Sequence, residues 1–361
     1  MKNKEKNKRN SFFKIILRSL LAVLAVIILV TAGVGIYFYL AIKYFDPLSM
    51  TLPRGNVPAV PPRDIIEYNG KFYRYNDDIV NILFIGMDNS ISEIAAPNRL
   101  LISGGNADAL ILLSIDTVNR TTFLLNILRD TMTEIAIHDI QGNFLRNEIS
   151  QIALAHHYGD GREFSARLTT QAVSNLLFDL NIFRHIRLNI DGLVAATDLF
   201  GGVRLTLPDE TVIAGRRYSA GESITLNGRQ ANDYLRRRER TMTASTERSE
   251  RHLHFIRAIF PQVGAAVKND PFSIINTYSQ LEQYVSTNMT IPELNYALQI
   301  LTETGFDINN TLRVPGELIM GEILVEFIVD KDELYDIIIN NYYISISEHE
   351  IDKILKEDDV I

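Results

Sequence analysis

Residues 19–42 form an uncharged run of 24 residues, and no other feature constrains the chain as strongly. About 20 apolar residues in a helix cross the hydrocarbon core of a bilayer, so this run is long enough to span one. Lys2, Lys4, Lys6, Lys8, Arg9, Lys14 and Arg18 precede it, and only Lys43 follows closely. That bias predicts a cytoplasmic N-terminus with everything after the run outside the cell. Tyr37, Phe38, Tyr39, Tyr44 and Phe45 gather at its outer end, as in an interfacial aromatic belt. A cleaved signal peptide is the rival reading. The run exceeds the usual apolar core of a signal and lacks a convincing small-x-small site before Lys43, so a retained anchor is expected. The expected location is the cell membrane, single-pass, with the main domain extracellular.

The first eighteen residues carry a net charge of +6, whereas the whole chain carries −8. The part beyond the membrane is therefore strongly acidic. A phosphate backbone meets repulsion over most of such a surface, so no nucleic-acid partner is expected. The chain has no cysteine, which excludes disulfides and cysteine-based zinc sites.

Five segments are expected: a basic cytoplasmic tail (1–18), a transmembrane helix (19–42), a proline-rich spacer (43–67), an extracytoplasmic domain (68–320) and a C-terminal extension (321–361). The spacer is semi-stiff because it holds Pro47, Pro53, Pro58, Pro61 and Pro62. Residues 79–85 are almost wholly apolar and end at Gly86, the pattern of a strand buried on both faces. Residues 109–115 and 122–127, joined by a turn at 116–120, predict a hairpin of buried strands. Helices are expected at 149–157, 164–180, 192–200, 229–236 and 292–304. Further strands are expected at 186–190, 203–207 and 311–314. Strands alternating with helices indicate a three-layer α/β domain.

The candidate chemistry lies in residues 233–257, DYLRRRERTMTASTERSERHLHFIR, dense in arginine within an acidic chain. Arg236 and Arg238 point the same way along an extended segment, and Arg248 and Arg251 share a helix face beside His252. Leu253, Ile256, Phe260 and Val263 make a separate apolar stripe on that helix. Guanidinium groups brought together repel one another unless an anion sits among them, and phosphate suits several planar forks at once. A solvated basic face, with Glu239, Glu247 and Glu250 interleaved, is the plainer alternative. Asp88, Asp108 and Arg129 stand at the ends of predicted strands, where a sheet can bring them to one rim. Two carboxylates flanking a phosphate suit Mg²⁺. The plainer reading there is an ion pair of Arg129 with Asp108 or Asp130.

Six motifs in order resemble the LytR-CpsA-Psr proteins of the bacterial cell envelope. They are NILFIGMDN (81–89), NADALILLSID (106–116), LLNILRDT (124–131), NIDGLVAATDLFGGVRL (189–205), LNGRQANDYLRRR (226–238) and TERSERHLHFI (246–256). The resemblance implies a three-layer α-β-α domain with a central mixed sheet behind one membrane anchor. It implies an Mg²⁺-assisted phosphotransferase that moves an anionic glycopolymer, teichoic-acid-like or capsular, from a polyprenyl-pyrophosphate lipid to peptidoglycan. By position, Asp88 and Asp108 match the metal-site acids. Arg129, Arg236, Arg238, Arg248 and Arg251 match the pyrophosphate-binding arginines, with Asp108, Arg129, Arg238 and Arg248 in the catalytic roles. This chain departs from the pattern where Asn106-Ala107-Asp108 replaces Arg-Ser-Asp, with Arg99 as a candidate substitute for the missing arginine. Ser245 replaces an acid, and His252 replaces a glutamine. Two further functions use the same residues: hydrolysis of a lipid pyrophosphate, and non-catalytic binding of an envelope polymer or polyprenyl phosphate.

Overall fold

The computed structural model describes residues 29–30, 32–53, 65–87, 104–237, 241–269, 273–304 and 310–351. The chain divides into two units, Met1–Asp46 and Pro47–Ile361. In the first, residues 32–43 are helical. No helix among the described residues is long and apolar enough to cross a membrane, and residues 19–28 of the expected span lie outside them.

The second unit is built on a six-stranded mixed sheet. Its strands in chain order are β1 (Ile79–Met87), β2 (Ala107–Asp116), β3 (Thr121–Ile127), β4 (Arg184–Asn189), β5 (Val285–Thr287) and β6 (Thr311–Arg313), in the spatial order β5-β4-β1-β2-β3-β6. β1 is antiparallel to β2 and parallel to β4; β3 is antiparallel to β2 and parallel to β6. The continuous apolar runs of β1 and β2 have the reason expected of them, because both faces are covered. Leu83, Ile85, Leu110, Leu112, Leu125 and Ile127 pack with residues of α1 (Glu163–Leu176) and α7 (Lys331–Tyr342). The other face looks toward α2 (Ile190–Leu199), α4 (Ala244–Asn269), α5 (Ser273–Leu281) and α6 (Ile291–Thr304). α3 (Gly228–Arg236) leads into α4, and its start is a capping box in which Asn227 and Gln230 satisfy each other's backbone N–H groups. The three-layer expectation with a mixed central sheet therefore holds.

Three expectations need correction. Residues 149–157 are not a helix. A strand, Phe144–Gln151, pairs with Met132–His138, and only Ile152–His156 turns, as a 3₁₀ segment. Cross-strand pairing overrides the local pattern there. The C-terminal residues are not an extension, because α7 buries Leu334, Ile338, Ile339 and Tyr342 in the core. The following strand, Tyr343–Ile346, pairs with Lys71–Tyr75. The Tyr342 hydroxyl also lies 3.0 Å from Ser114, which in turn donates to Asn81 at 2.7 Å, so α7 is keyed to the sheet through a buried polar chain. Finally, residues 47–51 of the spacer belong to the second unit. Pro47–Thr51 is a 3₁₀ turn with Met50 fully buried.

That turn is held by Arg184, at the start of β4. Its guanidinium donates to Ser49 O at 3.0 Å, Leu52 O at 3.1 Å and Phe183 O at 3.2 Å, and pairs with Glu293 at 2.8 Å. Both charged side chains are fully buried. Glu293 also accepts from the Thr290 backbone N–H (2.6 Å) and hydroxyl (2.9 Å). A buried pair this well satisfied is strongly destabilised when one member is lost, because the other is left charged and alone. Glu293→Ala is expected to cost about 3–5 kcal/mol in chemical denaturation, and Arg184→Met with Glu293→Leu markedly less. A single substitution costing no more than the pair would contradict this role.

Candidate functional site

The site begins with an irregularity in the sheet. Along β1 and β2, Gly86 pairs with Ala109 and Met87 with Ala107, so Asp108 is the extra residue of a β-bulge. Ala107 packs into the core on the α1 side, whereas Asp108 and Ala109 both line a cavity on the α4 side. Without the bulge, strict alternation would have put Asp108 and Ala109 on opposite faces.

Two arginines from different elements meet this carboxylate. Arg129, just past β3, pairs closely with Asp108 Oδ1 and more loosely with Asp130 at 3.4 Å. Arg248, in the first turns of α4, reaches Asp108 Oδ1 at 3.0 Å and the Asp108 carbonyl at 3.4 Å. The side chains of Asp108 and Arg248 are 7% and 4% exposed, so this is a desolvated cluster. α4 is fixed beside it by Ser249, which donates to Asn126 of β3 at 2.9 Å.

The other expected residues fall around this cluster. Arg236, at the end of α3, lines the cavity and is exposed. Arg251 donates to the Arg237 carbonyl, and its Nε is buried without a partner. Burial lowers the Arg251 pKa, with Arg237 and Arg248 adding repulsion. His252 also lines the cavity, and its Nδ1 has no partner. Burial, then the charge of Arg248, pushes this imidazole down to about 3, so it is neutral at physiological pH. Asn106 stands two residues before Asp108, at the entry of β2. Asp88, Arg99 and Arg238 lie outside the described residues.

The geometry speaks against a plain basic face. Of the interleaved acids, Glu250 accepts from Arg313 at 2.8 Å and Glu247 from the Thr243 hydroxyl at 2.8 Å. The ion pair of Arg129 with Asp108, offered by the plainer reading, is nonetheless present, so the arginines here are partly neutralised rather than mutually repelling.

The sequence pattern missed the cavity itself. It has a volume of about 330 Å³ and runs between the sheet and the helices of the α4 side. Phe84, Ile111, Leu193, Phe255, Ile259 and Leu298 are among its walls, and Asp108, Arg236, Arg248 and His252 form its polar end. Ile256, Phe260 and Val263, read as a packing stripe, line this void instead. The helix walls are held close at Gly264, where a Cβ would stand 1.6 Å from the Thr302 hydroxyl of α6. An anion at the rim and an apolar chain in the cavity are what this arrangement can hold together.

As to a metal, among the described residues no cluster of three or more acidic or histidine side chains could hold one. Asp108 alone fits the demand of Mg²⁺ for one or two carboxylates beside phosphate oxygens, so the fit depends on the phosphate arriving with the ion.

A desolvated, acid-centred arginine rim over an apolar cavity, in a three-layer α/β domain, is the class of site that the fold defines. The model of the LytR_cpsA_psr family matches residues 61–359, and the chain belongs to that family. A relative from Oceanobacillus iheyensis, named polyisoprenyl-teichoic acid–peptidoglycan teichoic acid transferase TagU, is 25% identical over 318 residues, covering 86% of this chain and 88% of its own. The Bacillus subtilis protein of the same activity name, TagV, is 25% identical over 285 residues, covering 77% and 65%. Among solved structures, that of B. subtilis TagV superposes with a TM-score of 0.58 at 22% identity, covering 73% of this chain and 96% of that one. TagT bound to LI-WTA gives 0.55 at 18% identity, covering 73% and 91%.

Because Asp108 answers two guanidinium groups, its removal leaves both charged and adjacent, whereas loss of Arg248 leaves Asp108 paired with Arg129. Asp108→Ala is therefore expected to destabilise the domain by about 3–5 kcal/mol, and Arg248→Ala by distinctly less. Added pyrophosphate is expected to recover part of the Asp108→Ala loss, read as a rise in thermal midpoint. Equal losses for the two variants, with no effect of pyrophosphate, would contradict the arrangement.

Proposed function

We propose that this chain transfers an anionic glycopolymer, teichoic-acid-like or capsular, from a polyprenyl-pyrophosphate carrier to peptidoglycan. One observation carries the reading: an apolar cavity of about 330 Å³ ends at a buried cluster of Asp108, Arg129 and Arg248. A lipid pyrophosphate is the amphiphile that such a site matches, with the isoprenoid between sheet and helices and the pyrophosphate among the arginines. The names of the family relatives support this choice of substrate.

In this reading the arginines exchange Asp108 for the pyrophosphate when the lipid enters. Arg129 and Arg248 then neutralise the oxygens on which charge builds, and Arg236, Arg238 and Arg251 position the remaining ones. A peptidoglycan hydroxyl attacks the sugar-bearing phosphorus. A new P–O bond forms, the bridging P–O bond breaks, and polyprenyl phosphate leaves as the anion. Asp108, released from its ion pairs, stands at the rim as acceptor of the hydroxyl proton or as metal ligand. Mg²⁺, held by Asp108 with Asp88 and phosphate oxygens, would supply charge neutralisation to the bridging and terminal oxygens. His252 stays neutral and presents no charge to the lipid. The apolar run at 19–42 keeps the domain at the outer face of the cytoplasmic membrane, where both lipid carrier and wall are found.

The test uses the full chain in detergent, a lipid-pyrophosphate-linked glycan and a peptidoglycan oligomer as acceptor. Arg248→Ala and Asp108→Asn are each expected to lower transfer about 10²–10³-fold, the usual effect of removing one preorganised charge-stabilising group. Arg248→Lys should rescue poorly, because it keeps the charge and loses the planar fork. Chelation should abolish turnover of the wild-type chain. Release of lipid phosphate without an acceptor-linked product would make the chain a hydrolase. Tight lipid binding with no turnover would make it a carrier-binding protein.

A further inference from the structure

Two buried arginines three residues apart on β4 are treated very differently. Arg184 is saturated by a carboxylate and three carbonyls, as described above. Arg187 is 4% exposed, yet its Nε and Nη2 atoms are buried with no hydrogen-bond partner. Among the described residues no carboxylate forms an ion pair with it. A buried guanidinium with two unsatisfied N–H-bearing atoms and no ion-paired carboxylate is unfavourable, and such a group is suited to be completed by a ligand.

Arg187 pairs in register with Ile85, whose side chain belongs to the α1-side core. Its strand neighbours Ile186 and Leu188 line the apolar cavity on the opposite face. Arg187 therefore opens into a separate, polar pocket of about 530 Å³, walled by Arg162, Ser279, Gln283, Glu282 and Ser286. Val285 of edge strand β5 lines both this pocket and the apolar cavity, so one strand divides them.

The charges around Arg187 do not cancel it. Arg162, just before α1, is exposed at the mouth and adds a second cation. Asp160 accepts the backbone N–H groups of Arg162 (2.8 Å) and Ser165 (3.1 Å) at Oδ1, and its charge attracts Arg187 without forming an ion pair with it. Glu163 faces His185 at 3.1 Å, and Glu282 is an exposed acid on the pocket wall. His156 is fully buried; its Nδ1 lies 3.2 Å from the Gly105 carbonyl and its Nε2 has no partner. Burial, then Arg187, pushes His156 down to about 3, so it stays neutral and adds no charge. Burial and Arg162 push Arg187 down to about 10, which leaves it a cation.

We propose that Arg187 at the base and Arg162 at the mouth form a second oxyanion site, which seats a phosphoryl group on the far side of β5 from the lipid cavity. Phosphate presents the oxygens that two guanidinium forks can share, and Ser286 stands on the wall beside Arg187. Assigning that phosphoryl group to a phosphodiester of the polymer being transferred rests on the transferase reading. The oxyanion site itself does not.

The experiment titrates the full chain in detergent with inorganic phosphate and, separately, with a short glycerol-phosphate diester oligomer, followed by calorimetry. Arg187→Met is expected to weaken both by about tenfold or more, the scale of one lost charge-assisted bond. Thermal stability without ligand should hold or rise, since an uncompensated buried cation is removed. Arg162→Ala should weaken binding less. Glu282→Gln should tighten it, by removing the one carboxylate on the wall. Unchanged phosphate affinity in Arg187→Met overturns the site. If that variant does not fold, unchanged affinity in both Arg162→Ala and Glu282→Gln does so. Binding of inorganic phosphate with no binding of the diester overturns the polymer assignment. A wild-type chain that binds phosphate through Arg187 yet transfers no glycan refutes the transferase reading and leaves this site standing.

Discussion

One carboxylate, Asp108, ties the functional half of the domain together. It projects from a bulge in a central strand, meets Arg129 from the end of β3, and meets Arg248 from α4. A strand, a loop and a helix are thus locked at one rim by a single desolvated triad. Such a triad is a poor source of stability, since stripping water from three charges offsets most of their attraction. In the proposed reaction its worth is in specificity, because it holds the arginines where an anion would replace the carboxylate. α4 then continues from the rim to form one wall of the apolar cavity, so the same helix defines both ends of the candidate substrate path.

The two faces of the sheet divide the work. On the α1 and α7 side, Leu83, Ile85, Leu110 and Leu112 pack with α1 and α7 side chains. The α4 and α6 side leaves a void, although its residues are as apolar. Helix position explains the difference. Gly264 and Thr302 bring α4 and α6 into close contact with each other at one level. An apolar void of this size forfeits contact energy along its walls, which is tolerable in a protein that fills it with a ligand. The Arg184–Glu293 pair helps by holding α6 to the start of β4, away from the rim.

Much of this was legible in the chain. Long apolar runs ending in glycine or charge announce buried strands, and β1, β2 and β3 fall where residues 79–85, 109–115 and 122–127 placed them. The convergence of Asp108, Arg129 and Arg248 was legible from strand ends and helix spacing. What was not legible depended on distant partners. Residues 144–151 expose Phe144, Leu145 and Ile149, so their apolar spacing did not describe a buried face, and only pairing with 132–138 makes them a strand. The stripe of Ile256, Phe260 and Val263 reads alike over a packed core and over a cavity. Arg187 gave no signal, because an unpaired arginine on a strand looks like a paired one until its neighbours are known; the partners that satisfy Arg184 include Glu293 and Ser49, each more than a hundred residues away in sequence.

The account stands or falls on what occupies the cavity beneath Asp108 and Arg248. The most direct measurement is native mass spectrometry of the full chain purified from bacterial membranes in mild detergent. A retained mass matching a polyprenyl phosphate or pyrophosphate is predicted for the wild-type chain. It should be lost in a variant that blocks the cavity with Ala297→Phe and in Arg248→Ala. A wild-type chain that carries no isoprenoid lipid and takes up none when one is supplied, while remaining folded, would contradict the account.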